Sequence, residues 1–519
     1  MEIIGAVKKN KKRPEIQETH KMNILCVASE AAPFAKEGGL GDVVGTLPKF
    51  LHAAGHDVRV VIPRYYRVDK EKYGLKLVAG PMGVWMGVIG MMWCSVYEGR
   101  LPGSMVPIYF IEHENFFGRD SGLYSKDGKG FLDNDNRFVF LSRAALELCK
   151  TLFFKPDVIH VHDWHTAIVP VFLNTAYRYD ALLGDCATLL TIHNMQHQGD
   201  FYRGLMDVLD IGREHFNPRG LEFYGRTNLL KGGLYHATLL NAVSQTYSEE
   251  IRTPAHDWRL GGVLRERAPD LHGILNGVDY EEWNPETDKL IAANYSETDM
   301  SGKALCKIDL QKEFKLNERP EVPVIGMVSR LVKQKGIDIL SGAIHRMMSW
   351  DVQFVLLGNG EPWAHHFFSD LCSKYPGRFG CYIGYSNPLA HKIEAGSDFF
   401  LMPSRFEPCG LNQMFSLRYG SVPIVRAVGG LNDTVENYND ETGDGTGFKF
   451  NDPTPEAIIG TTGWAVHLYY NRREAIDRLA KRGMRQRFTW EDSAKKYENL
   501  YLLAIKKRIG EARFKERFK

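Results

Sequence analysis

Short apolar, β-branched runs separated by amphipathic segments recur along the chain. Residues 23–29, 58–62, 106–111, Val158–His162 and Ala187–Ile192 read as strands. A helix over 43–54 follows the first, and a second, at about 166–177, follows Asp163. The stretch 281–321 is polar and weakly patterned. After it the alternation starts again, with a strand over 322–329, a helix over 338–348, and strands over 352–357, 380–383, Phe399–Met402 and 422–425. Strands of this kind interleaved with helices form parallel sheets joined by right-handed crossovers. The expected fold is α/β, with two doubly wound domains of similar size. Ligands of such sheets bind at the carboxyl ends of the strands, so chemistry is expected there and in the cleft between the domains.

One segment calls for a membrane test. Residues 77–97 carry no charge and include Gly83-Val-Trp-Met-Gly87. Their length alone permits a span. Gly80, Pro81, Gly83, Gly87 and Gly90 break a helix repeatedly, so two strands joined by a glycine turn are the better reading. The length, 519 residues, allows two to four domains at about 150 residues each, and the repeated pattern reduces this to two. Charge is unevenly spread. The net +2 comes from 65 basic and 63 acidic side chains. Residues 1–22 carry six Lys/Arg and three acids, and 506–519 carry seven and two. The tails are therefore +3 and +5, which leaves about −6 for the body (2 − 8). An acidic body is a poor polyanion binder, so nucleic acid is not the expected partner. Both tails read as frayed, solvated ends. Residues 1–22 lack the apolar core of a secretory signal and the serines of a transit peptide, and read as a disordered extension. Eight cysteines without a CxxC pair disfavour a zinc site or a disulfide framework and suit a reducing compartment.

Polar clusters stand where strands end. Lys36-Glu-Gly38-Gly39-Leu-Gly41-Asp42 leads into a helix; such a turn brings backbone N–H groups and a cation to an anion, or is simply tight. It is neither a Walker loop nor GxGxxG. His160-Val-His162-Asp163-Trp164-His165 contains a possible metal set, but strand alternation turns 160 and 162 away from 161 and 163. Asp163 and Trp164 are better placed for substrate hydroxyls, and Thr191-Ile-His193-Asn194 ends the next strand. Asn228-Leu-Leu-Lys231-Gly-Gly233 reads equally as a helix start, and Asn276-Gly-Val-Asp279 with Trp283-Asn-Pro285 as a turn at the domain junction. In the second half Arg330, Lys333 and Lys335-Gly336 follow a strand, which suits a diphosphate or a solvated basic loop. Glu407-Pro-Cys409-Gly410-Leu411-Asn-Gln413 sets N–H groups beside a carboxylate, as sugar hydroxyls require. Gly429-Gly430-Leu-Asn-Asp433-Thr434 begins a helix after the next strand, a second anion-type site.

Taken together and in order over about residues 22–505, these motifs resemble bacterial glycogen synthases and plant starch synthases. The resemblance implies a GT-B fold: two Rossmann-like domains facing across a deep cleft, with a C-terminal helix returning to the first. The implied division is 23–271 for the acceptor side, 272–487 for the nucleotide-sugar side, and 488–519 for the returning helix and basic tail. The implied activity is transfer of glucose from ADP-glucose to the non-reducing end of an α-1,4-glucan, with retention of configuration, no metal or cofactor, no membrane or nucleic-acid partner, and a cytoplasmic location, or a plastid one in a plant.

By the same resemblance, Arg330 and Lys335 neutralise the leaving diphosphate, while Gly38, Gly39 and the helix behind them, with Lys36 and Asp42, meet it from the other side. Glu407 holds the glucosyl ring with Cys409, Gly410 and Leu411. Asp163, His193, Asn194 and Asn276 contact the glucose or its acceptor, Tyr124 lies near the acceptor, and Tyr385 stacks on adenine. Gly430 and Thr434 complete the binding set. Three places depart from the family pattern: Glu37, Gly41 in place of a frequent Ala, and Asn241-Ala-Val-Ser-Gln245. A UDP-glucose-dependent transferase of the same fold is the nearest rival. A glucan-binding protein without catalysis is the rival from another class, disfavoured by the intact polar set.

Overall fold

A computed structural model describes residues 20–126 and 128–519. Two sheets organise it. The first has nine strands in the order Leu271–Gly273, Leu239–Ala242, Ala187–Ile192, Val158–His162, Asn23–Val27, Asp57–Pro63, Pro107–Glu112, Met91–Arg100, Lys76–Trp85. Seven run parallel; the last two join antiparallel as a hairpin, with Trp85 opposite Met91 and Gly83 opposite Trp93. The uncharged segment 77–97 is thus the expected strand pair, because its glycines interrupt a helix but fit a turn at Gly87–Ile89. No helix among the described residues is long and apolar enough to cross a membrane. The second sheet has six parallel strands in the order Phe379–Ile383, Gln353–Gly358, Val324–Val328, Phe399–Met402, Val422–Arg426, Phe448–Phe450.

The strand order reverses once in each sheet. From Asn23–Val27 the chain proceeds outward to Asp57–Pro63 and later returns to Val158–His162 on the other side. From Val324–Val328 it goes to Gln353–Gly358 and later returns to Phe399–Met402. A cleft opens at such a reversal, beyond the carboxyl ends of the two central strands. The glycine loop and Asp163 sit at the first reversal; Arg330, Lys335 and Glu407 sit at the second.

Several expectations are corrected. The first helix spans Gly39–Ala53, so Gly39 and Gly41 lie inside its first turn and Gly38 is the extended residue that caps it. The helix expected at about 166–177 is two short ones, Asp163–Thr166 and Ile168–Asn174. A helix over Asn134–Thr151 had no sequence signal, being buried on most sides. The polar stretch 281–321 contains the helix Ser301–Glu313. Most of the expected extension 1–22 lies outside the described residues, but Met22 is fully buried and its N–H donates to His56 Nδ1 at 3.2 Å. The C-terminal basic segment is not frayed. The helix Trp490–Ile509 packs on the first sheet, and beyond it Arg513 pairs with Asp185 and Arg517 with Asp157.

Candidate functional site

At the first reversal, a buried carboxylate shapes the glycine loop. Glu30, just past the strand Asn23–Val27, accepts N–H bonds from Glu37 (2.7 Å) and Gly38 (3.2 Å) and the Tyr124 hydroxyl (2.5 Å). Burial raises the Glu30 pKa, and these donors oppose the rise. Gly41 sits close against this carboxylate: a Cβ there would lie 3.1 Å from the Glu30 carboxylate and 3.2 Å from the Lys36 side chain. Gly38 and Gly39 face open space and are exposed. Lys36 Nζ pairs with Asp42 at 2.7 Å. Glu37 is exposed, and its Oε1 accepts the Leu123 N–H at 3.5 Å. Glu30 was absent from the sequence reading; a carboxylate ending the strand before a glycine loop was its only signal.

The register between Val158–His162 and Ala187–Ile192 sets His162 opposite Thr191, so the two strands end level. Asp163 adopts φ +51°, and its Oδ1 accepts the N–H groups of His193 (2.7 Å) and Asn194 (3.3 Å). Asp163 therefore ties the second strand end in place. Burial raises its pKa to about 7, against those two N–H bonds. Nε2 of His193 meets His162 Nδ1 at 3.0 Å. His160 uses both ring nitrogens, on Tyr501 (2.8 Å) and Thr191 (2.7 Å), which removes it from any metal set. Burial lowers His193 and His160 to about 3, so both imidazoles are neutral at physiological pH.

At the second reversal, Lys335 Nζ donates to Glu407 Oε2 at 2.6 Å, and Ser404 Oγ to the same oxygen at 2.9 Å. Glu407 is buried and Lys335 partly so. Gly336 makes this approach possible: it holds φ +73°, and a Cβ would fall 1.9 Å from the Pro403 carbonyl oxygen. Arg330 is exposed, and its guanidinium donates to Gln334 Oε1 at 3.3 Å. Tyr385, after the edge strand Phe379–Ile383, is 87% exposed.

The two halves touch beneath the cleft. Ser244 Oγ donates to the Pro408 carbonyl at 2.6 Å, and Cys409 and Leu411 pack into the core of the first sheet. Asn276 lies against Cys409 with its side-chain oxygen buried and unpartnered. Burial raises the Cys409 thiol to about 12, so it is not a thiolate. Thr246 donates to Asp433, and Glu250 accepts the Gly429 N–H at 3.0 Å. That last contact bears on the expected second anion site. A protein carboxylate already sits at the start of the helix Gly429–Thr434, and the Gly430 N–H turns back to the Glu407 and Pro408 carbonyls, each at 3.2 Å. The Thr434 hydroxyl donates to Gly430 O at 2.6 Å and receives Gln413 at 3.2 Å. Gly410, at φ +70°, completes this turn. Asn228 and Lys231 are structural: Asn228 caps the helix Leu229–His236, and Lys231 Nζ reaches the Pro218 carbonyl at 2.7 Å.

The cleft therefore offers cations and an exposed glycine turn at a helix start suited to a diphosphate, and polar groups with a neutral imidazole suited to a sugar. The family described as the starch synthase catalytic domain matches residues 23–266, and glycosyl transferases group 1 matches residues 309–482. The chain is 62% identical over 498 residues to glycogen synthase 1 of Geobacter metallireducens, covering 96% of this chain and 99% of that one. It is 46% identical over 480 residues to a glycogen synthase of Anaeromyxobacter sp., covering 92% and 99%. Among solved structures, the catalytic domain of starch synthase IV from Arabidopsis thaliana, bound to ADP and acarbose, superposes with a TM-score of 0.85 at 32% identity, over 93% and 99% of the two chains. A sucrose-phosphate synthase from Thermosynechococcus elongatus shares the fold, with a TM-score of 0.57 at 16% identity over 92% and 98%.

Proposed function

The chain belongs to the glycogen synthase and starch synthase family of glycosyltransferases, and from that premise we propose how its cleft works. The donor is ADP-glucose, and the glucosyl unit passes to the non-reducing end of an α-1,4-glucan with retention of configuration. The observation that carries this reading is the facing of two unlike ends. Lys335 and Arg330 stand on one side beside the buried Glu407. The Asp163-held turn at His193 and Asn194 stands at the other reversal.

Departure of the diphosphate leaves positive character on the glucose ring and negative charge on the phosphate. Cations fixed beforehand stabilise the second, and neutral polar groups tolerate the first. Lys335, held by Glu407, meets the phosphate with little reorganisation, and Arg330 closes over it. The exposed turn at Gly38 and Gly39, through the Gly39 N–H, and Lys36 meet the phosphate from the opposite domain. His193, neutral and anchored through Nε2, offers Nδ1 to a glucosyl hydroxyl. The leaving phosphate oxygen accepts the proton of the acceptor hydroxyl on the same face. Paired carboxylates of the glycosidase kind are then not required. Protein cations suffice for the charge, so the reaction needs no metal, and a cytoplasmic setting suits the free thiols. Closure of the domains excludes water and directs glucose to glucan.

Incubation of the protein with glycogen and labelled ADP-glucose or UDP-glucose tests this. Incorporation from ADP-glucose with the higher kcat/KM is expected. Incorporation from neither donor overturns the transferase reading, and preference for UDP-glucose overturns the donor alone.

A further inference from the structure

Eight cysteines are free, and six of them are buried. The other two lie together at the edge of the second sheet. Cys372 stands in the last turn of the helix Pro362–Lys374, and Cys381 in the middle of the edge strand Phe379–Ile383 that the helix packs on. Their sulfurs are 3.4 Å apart. Both thiols also face the Phe368 carbonyl, at 3.9 and 3.5 Å. A disulfide has sulfurs about 2.05 Å apart, so closure needs an approach of roughly 1.4 Å from the present 3.4 Å. Modest side-chain rotation and a small strand shift cover that distance, and an edge strand has a neighbour on one side only.

The chemistry of the pair is asymmetric. When Cys372 ionises, the Cys381 thiol donates to it; this outweighs partial burial and brings Cys372 to about 7. The same interaction pushes Cys381 up. A partly exposed thiolate beside a resolving thiol is the arrangement that exchanges with disulfides. Both side chains pack against the core of the second sheet, yet unlike the six buried thiols they stay partly exposed. Disulfides in reducing compartments are mostly transient and redox-sensing.

We propose that Cys372 and Cys381 form a reversible dithiol–disulfide site, closed by a low-molecular-weight disulfide of the glutathione class and reopened by a dithiol. The Cys372 thiolate attacks one sulfur of the small disulfide, forms a mixed disulfide and releases one small thiolate. Cys381, losing its proton to water, then attacks the Cys372 sulfur and expels the second. The protein loses two hydrogens and two electrons, and the small disulfide gains them as two thiols. Cys381 lies two residues before Ile383, where the strand passes into Gly384 and Tyr385. Closure draws this strand toward the helix and carries the Tyr385 loop with it. This consequence rests on the donor reading above, in which the base stacks on Tyr385, and it lowers the affinity for ADP.

The test uses the full chain incubated with oxidised glutathione, alkylated, and mapped by mass spectrometry before and after dithiothreitol, with ADP affinity measured by calorimetry in both states. A link between the peptides carrying 372 and 381, removed by dithiothreitol, is expected. Cys381→Ser should stop at a glutathione adduct on Cys372, and Cys372→Ser should give neither link nor change in ADP affinity. The linked form should bind ADP about fivefold more weakly. Absence of the link, or its formation equally at other cysteines, overturns the site. A link with unchanged ADP affinity overturns the coupling to the nucleotide. Failure of both forms to bind ADP overturns the donor reading, while the mass map still decides the site.

Discussion

Asp163 is a residue whose place was legible and whose hold on the backbone was not. Its place at a strand end marked it as a contact for sugar hydroxyls; in the folded chain its Oδ1 grips the backbone of His193 and Asn194. That grip has a pH signature. Burial raises the folded pKa to about 7, above the value of an exposed carboxylate. Below about pH 7 the group is protonated and accepts those N–H bonds less strongly; above it the charge strengthens them but costs stability. We expect kcat/KM to fall as the pH drops through about 7. His193 does not titrate there, since its pKa is about 3. Asp163→Asn should be slower and should lose this acid limb; an unchanged limb would assign it to another group. For the pair at the second reversal, Lys335→Ala and Glu407→Gln should each lower kcat at least about tenfold, or ~1.4 kcal/mol of barrier. Lys335→Ala also leaves a buried carboxylate without its cation and should melt earlier, whereas Glu407→Gln keeps the shape and isolates the kinetic effect. Wild-type rates in both would remove the pair from the site.

Among elements, the strands with unbroken apolar runs were the most readable. Val158–His162 and Ala187–Ile192 fall where the pattern placed them, because a strand buried on both faces needs no polar alternation. The helix Asn134–Thr151 was invisible for a related reason. It is buried nearly all round, and its polar residues are inside: Arg137 donates to the Phe116 and Leu123 carbonyls, and Arg143 to the Trp85 carbonyl. A helix buried in this way has no polar face to mark its period. Turns that bring side chains together were equally hidden, because their need for glycine lies in distant backbone. At Gly336 the demand comes from Pro403, far along the chain. Gly336→Ala should destabilise by about 1–3 kcal/mol and displace Lys335, with transfer activity lost along with melting temperature. Gly460→Ala is the control: it lies in the helix Pro455–Asn471 with nothing within 4 Å of a new Cβ, and should be neutral or stabilising by up to about 1 kcal/mol. Equal melting of the two variants would show that the Gly336 turn is not under this constraint.

Across the whole molecule, charge found a structural use that composition did not show. The basic end of the chain lies over carboxylates of the first half, with Lys507 on Asp270, Arg513 on Asp185 and Arg517 on Asp157. The helix that carries this end also reaches inward: Tyr501 meets His160, and Tyr497 meets Asn241, under the strand ends that form the site. Tyr501→Phe leaves His160 Nδ1 buried without a partner and should cost about 1–3 kcal/mol. Thermal unfolding should show this as a drop of several degrees, with kcat little changed; no drop would mean that the returning helix is held by packing alone.

Local order along the chain was sufficient for the α/β class, the two strand–helix series and the polar clusters at strand ends, because apolar periodicity and glycine placement act within a few residues of one another. Pairings across the chain were not contained in it. Lys335 with Glu407, Glu30 with the glycine loop, Glu250 at the start of Gly429–Thr434, and Cys372 beside Cys381 depend on sheet register and on the docking of one domain against the other. Burial then set the charge states, leaving His193 neutral and Asp163 poised near 7, since desolvation is a property of the assembled surroundings and not of the residue.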